Sequence, residues 1–128
     1  LPLGDLFLDS HPCNAHTTAS DALWMGLPLL TYAGNCFSGR VAASLLRAAG
    51  FEELVTRSPA EYEELAVKIG LDAAYRGALR ARLTETRPSC ALFDTPRFVR
   101  GVEWAYEEIW ARHMRGEAPA PLTVPPRP

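Results

Sequence analysis

Cysteine is scarce. The 128 residues hold three, Cys13, Cys36 and Cys90, an odd number and widely spaced. That pattern builds no disulfide framework and points to a reducing, cytoplasmic compartment. No apolar run approaches the ~20 residues needed to cross a bilayer, so no membrane span is expected. No basic-then-apolar segment opens the chain as a secretory signal would. An excess of positive charge is missing too, with 13 basic against 15 acidic residues and a formal charge of −2. A general nucleic-acid binder usually shows a basic face, so nucleic acid is not an expected partner. No internal repeat is visible. The run His11-x-Cys13-x-x-His16 lacks the second pair of ligands that zinc sites usually have; Cys36 is the one further candidate nearby. No metal is therefore expected. Neither Cys13 nor Cys90 has an activating base that sequence can name, so no catalytic residue is assigned.

What is present is ordinary soluble globular material, 48% hydrophobic and 22% charged. The length suits one domain with a real core better than two. The chain starts at Leu1 rather than Met and opens almost inside a strand, which suggests a piece of a longer protein whose upstream part supplies neighbouring strands.

The most informative stretch is Cys13-Asn14-Ala15-His16-Thr17-Thr18-Ala19-Ser20-Asp21-Ala22-Leu23-Trp24. It sets a polar turn at the head of an apolar helix. Before it lies the strand-like Asp5-Leu6-Phe7-Leu8-Asp9; after it come Gly26, Pro28 and a second apolar run, Leu29-Leu30-Thr31-Tyr32. Strand, polar turn, helix, glycine stop and strand make a βαβ unit of a doubly wound sheet. The expectation is parallel, adjacent strands over 5–9 and 28–32 with a helix over 17–26 between them. In such folds ligands sit at the carboxyl ends of strands, where a helix offers unpaired N–H groups and a positive dipole end. The turn suits an anion, above all a phosphate.

Further on, Ser38 and Gly50 bracket a second helix as N-cap and C-terminal stop, and Glu53-Leu54-Val55 reads as a third, edge strand. Ser58-Pro59-Ala60-Glu61 opens another helix with a capping box and proline at its first position. Its apolar positions Tyr62, Leu65, Ala66 and Ile69 follow helical spacing. Leu71 to about Thr86 is a further helix ended by Pro88. Thr95 caps the last helix, with Pro96 at its first position and an apolar stripe of Phe98, Val102, Ala105, Tyr106, Ile109 and Trp110. That stripe reads as core or interdomain packing, and His113 as a solvent-facing residue of the last turn. From Glu117 to Pro128 five prolines without periodicity indicate a disordered or extended tail. The domain therefore runs over residues 1–116 and the Pro-rich tail over 117–128.

Two readings of the polar turn stay open. Thr18 and Asp21 have the Thr-x-x-Asp spacing of a near-capping box and could simply start the helix. Alternatively His16, the Thr17 and Thr18 hydroxyls and the first-turn N–H groups cradle a diphosphate, with Asp21 one turn on accepting from ribose hydroxyls. The two are compatible, since a capped helix end that opens on a cleft is also a phosphate site.

These residues resemble the O-linked N-acetylglucosamine transferase (SPINDLY-like) family. The likeness is carried by Cys13-Asn14-Ala15-His16-Thr17-Thr18, by Asp21-Ala22-Leu23-Trp24-Met25-Gly26-Leu27-Pro28 and by Arg40-Val41-Ala42-Ala43-Ser44. Weaker similarity continues through Glu61–Lys68 and Leu92–Thr95, covering residues 1 to about 115. The resemblance implies an α/β fold, the Rossmann-like second half of the C-terminal, donor-binding lobe of a GT-B glycosyltransferase, helix-rich at its C-terminal end. It implies that His16, Thr17 and Thr18 contact the diphosphate of a nucleotide sugar and that Asp21 contacts its ribose. The implied reaction moves a sugar from a UDP-sugar, UDP-N-acetylglucosamine above all, to a protein Ser or Thr, without metal or other cofactor. UDP-glucose and GDP-fucose serve relatives as donors. The upstream catalytic lobe and tetratricopeptide repeats would be partners within the full-length chain, so this chain alone is expected to be inactive. Outside that resemblance stand a non-catalytic nucleotide-binding or interaction module of the same fold, and a Rossmann-like domain for another phosphorylated ligand.

Overall fold

A small parallel sheet organises the chain. The computed structural model describes residues 4–125, which divide into two compact units, one up to Phe93 and one from Asp94. The first unit holds strands β1 (Phe7–Leu8), β2 (Leu29–Tyr32) and β3 (Val55–Thr56) and helices α1 (Thr17–Trp24), α2 (Val41–Ala49), α3 (Pro59–Leu71) and α4 (Ala73–Thr86). The second holds α5 (Thr95–Met114).

The sheet order is β1-β2-β3. Both pairings are parallel, with Phe7 opposite Leu29 and Thr31 opposite Val55. The βαβ expectation holds: β1 and β2 are adjacent and parallel, and α1 lies between them in the chain. The strands are shorter than the apolar runs predict. At the third, Glu52–Leu54 form a 3₁₀ turn and pairing begins only at Val55.

Helices α1 and α2 end in the same way. Gly26 and Gly50 take left-handed φ of 77° and 81°. The N–H of Leu27 returns to Ala22 O at 2.9 Å and that of Phe51 to Leu46 O at 2.8 Å, while each glycine N–H reaches the carbonyl three residues back. These are Schellman turns, in which a glycine tolerates the left-handed bend and the next apolar residue folds back onto the helix. Leu27 and Phe51 are both buried.

Several boundaries differ from those the sequence suggests. Ser38 does not cap α2. The helix begins at Val41 behind Arg40, without a side-chain cap; the Ser38 carbonyl instead accepts from Asn14 N at 2.9 Å, and its hydroxyl shares a hydrogen bond with Cys36 Sγ at 3.3 Å. Leu71 is the last residue of α3, because Asp72 leaves the helical conformation and caps α4 through Tyr75 N at 2.8 Å. Thr95 lies inside α5, since the Asp94 carboxylate takes the cap through Arg97 N at 2.9 Å. Ser58 does cap α3, accepting from Glu61 N at 3.2 Å, but Glu61 reaches back to Arg57 N rather than to Ser58 N.

The core gathers Ala19 and Leu23 of α1, Leu29 of β2, Ala42, Leu46 and Ala49 of α2, Phe51, Leu54, Ile69, Leu79 and Leu83. Small residues on α1 and α2 let both helices lie close to β2 and to each other. The stripe of α5 is outside this core. No residue of α5 is buried, and Phe98, Tyr106, Ile109 and Trp110 are exposed. Residues 117–125 carry neither helix nor strand; the remainder of the tail, 126–128, lies outside the described residues.

Candidate functional site

The carboxyl ends of β1 and β2 open into two loops, residues 10–16 and 33–40, that are bonded to each other. Asn14 N donates to Ser38 O at 2.9 Å, and the rings of His11 and Tyr32 lie 4.6 Å apart. Gly39 closes the approach: a Cβ there would stand 2.9 Å from Pro12 O, a distance no side chain tolerates without moving the loop.

The first loop delivers His16 to the N-cap position of α1. Its side chain makes no capping bond, and no acidic residue stands in the first turn. Thr18 and Asp21 do not form the near-capping box that their spacing suggests. The first backbone bond of this helix runs from Ser20 N to His16 O at 3.1 Å. The N–H groups of Thr17, Thr18 and Ala19 therefore have no acceptor among the described residues, nor do the two threonine hydroxyls have a partner there. At α3, α4 and α5 the same place is filled by Ser58, Asp72 and Asp94.

His16, Thr17, Thr18 and Asp21 are all exposed, whereas Ala19, Ala22 and Leu23 of the same helix are buried. The helix thus turns its small apolar side to the sheet and its polar side outward, and the structure brings the four predicted residues onto one surface. His16 meets the exposed ring of Phe37 edge-on, centroids 6.1 Å apart. The arrangement offers free N–H groups, two hydroxyls, an imidazole and the positive end of a helix dipole, which together suit an anion. Among the described residues no group of three or more His, Cys, Asp or Glu side chains is placed to hold a metal.

Two nearby groups have altered acidity. The Ser38 hydroxyl, followed by the backbone at Gly39, holds the Cys36 thiol below its ordinary range. Burial, followed by the charge of Asp9, pushes the Tyr62 hydroxyl up.

Sequence reasoning missed the residues that support this surface. Asp9 is buried just past β1 and accepts from Ser10 N, Ala15 N and the Thr31 hydroxyl. The Tyr62 hydroxyl donates to the Asp9 carbonyl at 2.9 Å. Inside the loop Asn14 Nδ2 donates to Ser10 O at 3.1 Å, while its buried Oδ1 has no partner among the described residues. A lone signal existed: two polar residues, Asp9 and Thr31, at the end of or within otherwise apolar runs.

Comparison with known proteins identifies relatives of the chain. The model of glycosyl transferase family 41 matches residues 2–102. An Arabidopsis thaliana protein named "Probable UDP-N-acetylglucosamine--peptide N-acetylglucosaminyltransferase SEC" is 40% identical over 95% of this chain, which covers 13% of that relative. The UDP-N-acetylglucosamine--peptide N-acetylglucosaminyltransferase of Caenorhabditis elegans is 38% identical over 89% of this chain and 10% of its own length. A solved structure of a mutant Thermobaculum terrenum O-GlcNAc transferase superposes with a TM-score of 0.78 at 39% identity, over 83% of this chain and 20% of that one. The chain thus spans about an eighth of the length of the Arabidopsis relative.

Proposed function

The chain belongs to glycosyl transferase family 41, and from that premise we propose that it is the nucleotide-sugar-binding part of a protein O-GlcNAc transferase. Its α/β fold is that of part of a GT-B glycosyltransferase. In this reading residues 1–116 form the second half of the C-terminal, donor-binding lobe. The rest of a larger polypeptide supplies the other lobe, tetratricopeptide repeats and the acceptor site. The donor is UDP-N-acetylglucosamine, the acceptor a protein Ser or Thr hydroxyl, and the compartment the cytoplasm. Among the described residues no helix is long and apolar enough to cross a membrane.

The observation that carries the proposal is the uncapped head of α1, where exposed His16, Thr17 and Thr18 and unbonded N–H groups face outward at the carboxyl end of β1. In the reaction the acceptor hydroxyl's oxygen bonds to the anomeric carbon, its proton passes to solvent or to the departing diphosphate, the bond from the anomeric carbon to the diphosphate breaks, and UDP departs with the electron pair. His16 and the threonine donors stabilise the charge that grows on the diphosphate. Fixed donors aimed at developing charge are worth most in a transition state. Asp21 accepts from the ribose hydroxyls.

His16→Ala and Thr18→Ala in the intact polypeptide that carries this chain test the assignment. Loss of one such donor costs about 10²–10³ in rate at comparable oxyanion sites. The expected result is a fall of that order in kcat with melting little changed. Had Thr18 only a capping role, its loss would lower stability by about 1 kcal/mol and leave turnover per folded molecule intact. Unchanged kcat and KM in both folded variants would overturn the assignment.

A further inference from the structure

The geometry points to Asp9 as a positioning residue of the donor site, one that sets where His16, Thr17 and Thr18 stand without touching the nucleotide sugar. The inference rests on the donor-site reading above and deepens it.

The residue is 7% exposed. Oδ1 accepts from Ser10 N at 2.9 Å and from Ala15 N at 2.7 Å; Oδ2 accepts from Thr31 Oγ1 at 2.6 Å. No Lys, Arg or His forms an ion pair with it among the described residues. A buried carboxylate without a cation is costly unless hydrogen bonds replace its water, and bonds to an ionised acceptor are the strong ones. Here those bonds all go to one loop and the strand beside it.

Their placement gives them a use. One oxygen holds both ends of the loop over residues 10–15, so the loop is tied shut like a noose. Ala15 directly precedes His16, so the tie fixes the point from which α1 departs. Thr31 anchors the other oxygen to the middle of β2. Asp9 N donates to Leu30 O at 3.0 Å and its carbonyl accepts from Tyr62, so the residue itself is held from three elements. The apolar side of α1 keeps the helix against the sheet but does not determine where its exposed N-terminal donors end up. Asp9 does.

The test uses Asp9→Ala, Asp9→Asn and Thr31→Val in the intact polypeptide, with His16→Ala and Thr18→Ala as references. Melting temperature and the kcat and KM for UDP-N-acetylglucosamine are read on each. A misplacement near 1 Å costs about 10²-fold in rate. Asp9→Ala is expected to lose that much in kcat per folded molecule, with a smaller rise in KM. Asp9→Asn keeps an acceptor for Ser10 N and Ala15 N, and its amide can donate to a rotated Thr31 hydroxyl, so it restores most of the rate. Thr31→Val falls between. A merely structural role lowers the melting temperature in all three and leaves kcat per folded molecule within twofold of wild type; that result overturns the inference. If Asp9→Ala does not fold, Thr31→Val at wild-type kcat overturns it alone. Wild-type kinetics in both His16→Ala and Thr18→Ala would remove the donor-site reading and this inference with it. Silence confined to Asp9 and Thr31 removes only the inference.

Discussion

At the scale of single residues, the proposed donor site separates groups assigned to the substrate from groups that hold them. Asp21, assigned to the ribose, should behave differently from His16 and Thr18, assigned to the diphosphate. A ribose contact is made alike in ground and transition states, so losing it weakens binding without slowing the chemical step. A hydrogen bond to a charged group is worth about 1.5–3 kcal/mol. Asp21→Ala is therefore expected to raise the KM for donor about 10–100-fold and leave kcat near its wild-type value. A fall in kcat with unchanged KM would show that Asp21 acts on the reacting centre instead. That His16, Thr17, Thr18 and Asp21 share one exposed surface was legible in the sequence, because polar side chains between a strand and an apolar helix suggest an anion-binding turn. Asp9 left one trace, as a polar residue closing an apolar run, but its role was not legible. Its partners Thr31 and Tyr62 lie 22 and 53 positions away, and nothing local in Asp9-Ser10 says that the carboxylate turns inward.

At the scale of elements, helix starts depend on which competing bond the backbone can reach. The Ser58 hydroxyl has no other partner among the described residues and caps α3. Ser38, read from sequence as an equal cap, is taken up by the contact between the two site loops. Ser58→Ala should therefore lower stability by about 1 kcal/mol, the typical value of a lost N-cap. Ser38→Ala should leave α2 untouched on that account. Denaturant unfolding of both variants decides it, and an equal loss in Ser38→Ala would contradict the observed start at Val41. Helix existence, glycine stops and the parallel βαβ order were readable because periodicity and Schellman chemistry are local. Starts were displaced by one or two residues where an aspartate or a loop contact outcompeted the residue that looked like the cap. Strand lengths fell short because apolar runs report burial, and Leu6 can pack on the core without pairing.

At the scale of the whole chain, the uneven distribution of burial has a consequence for association. Every member of the core lies at or before Leu83, and the partly buried residues packed on it end at Phe93. Helix α5 instead carries Phe98, Tyr106, Ile109 and Trp110 on its surface, each more than half exposed. The sequence showed the stripe but could not show what covers it, since amphipathic spacing looks the same on a core helix and on an interface helix. Large contiguous apolar patches on soluble proteins mark contact surfaces. Covering a side chain of this size is worth about 1.5–3 kcal/mol, while association forfeits about 4–15 kcal/mol of rigid-body freedom. With four partly exposed side chains on each of two copies the gain and the loss are of the same order, so the isolated chain should self-associate weakly. Sedimentation velocity is expected to show an average mass that rises with concentration over the micromolar range, and Tyr106→Glu with Trp110→Glu should hold the chain monomeric throughout. A wild-type chain that stays monomeric across that range would show that the stripe is insufficient to drive association.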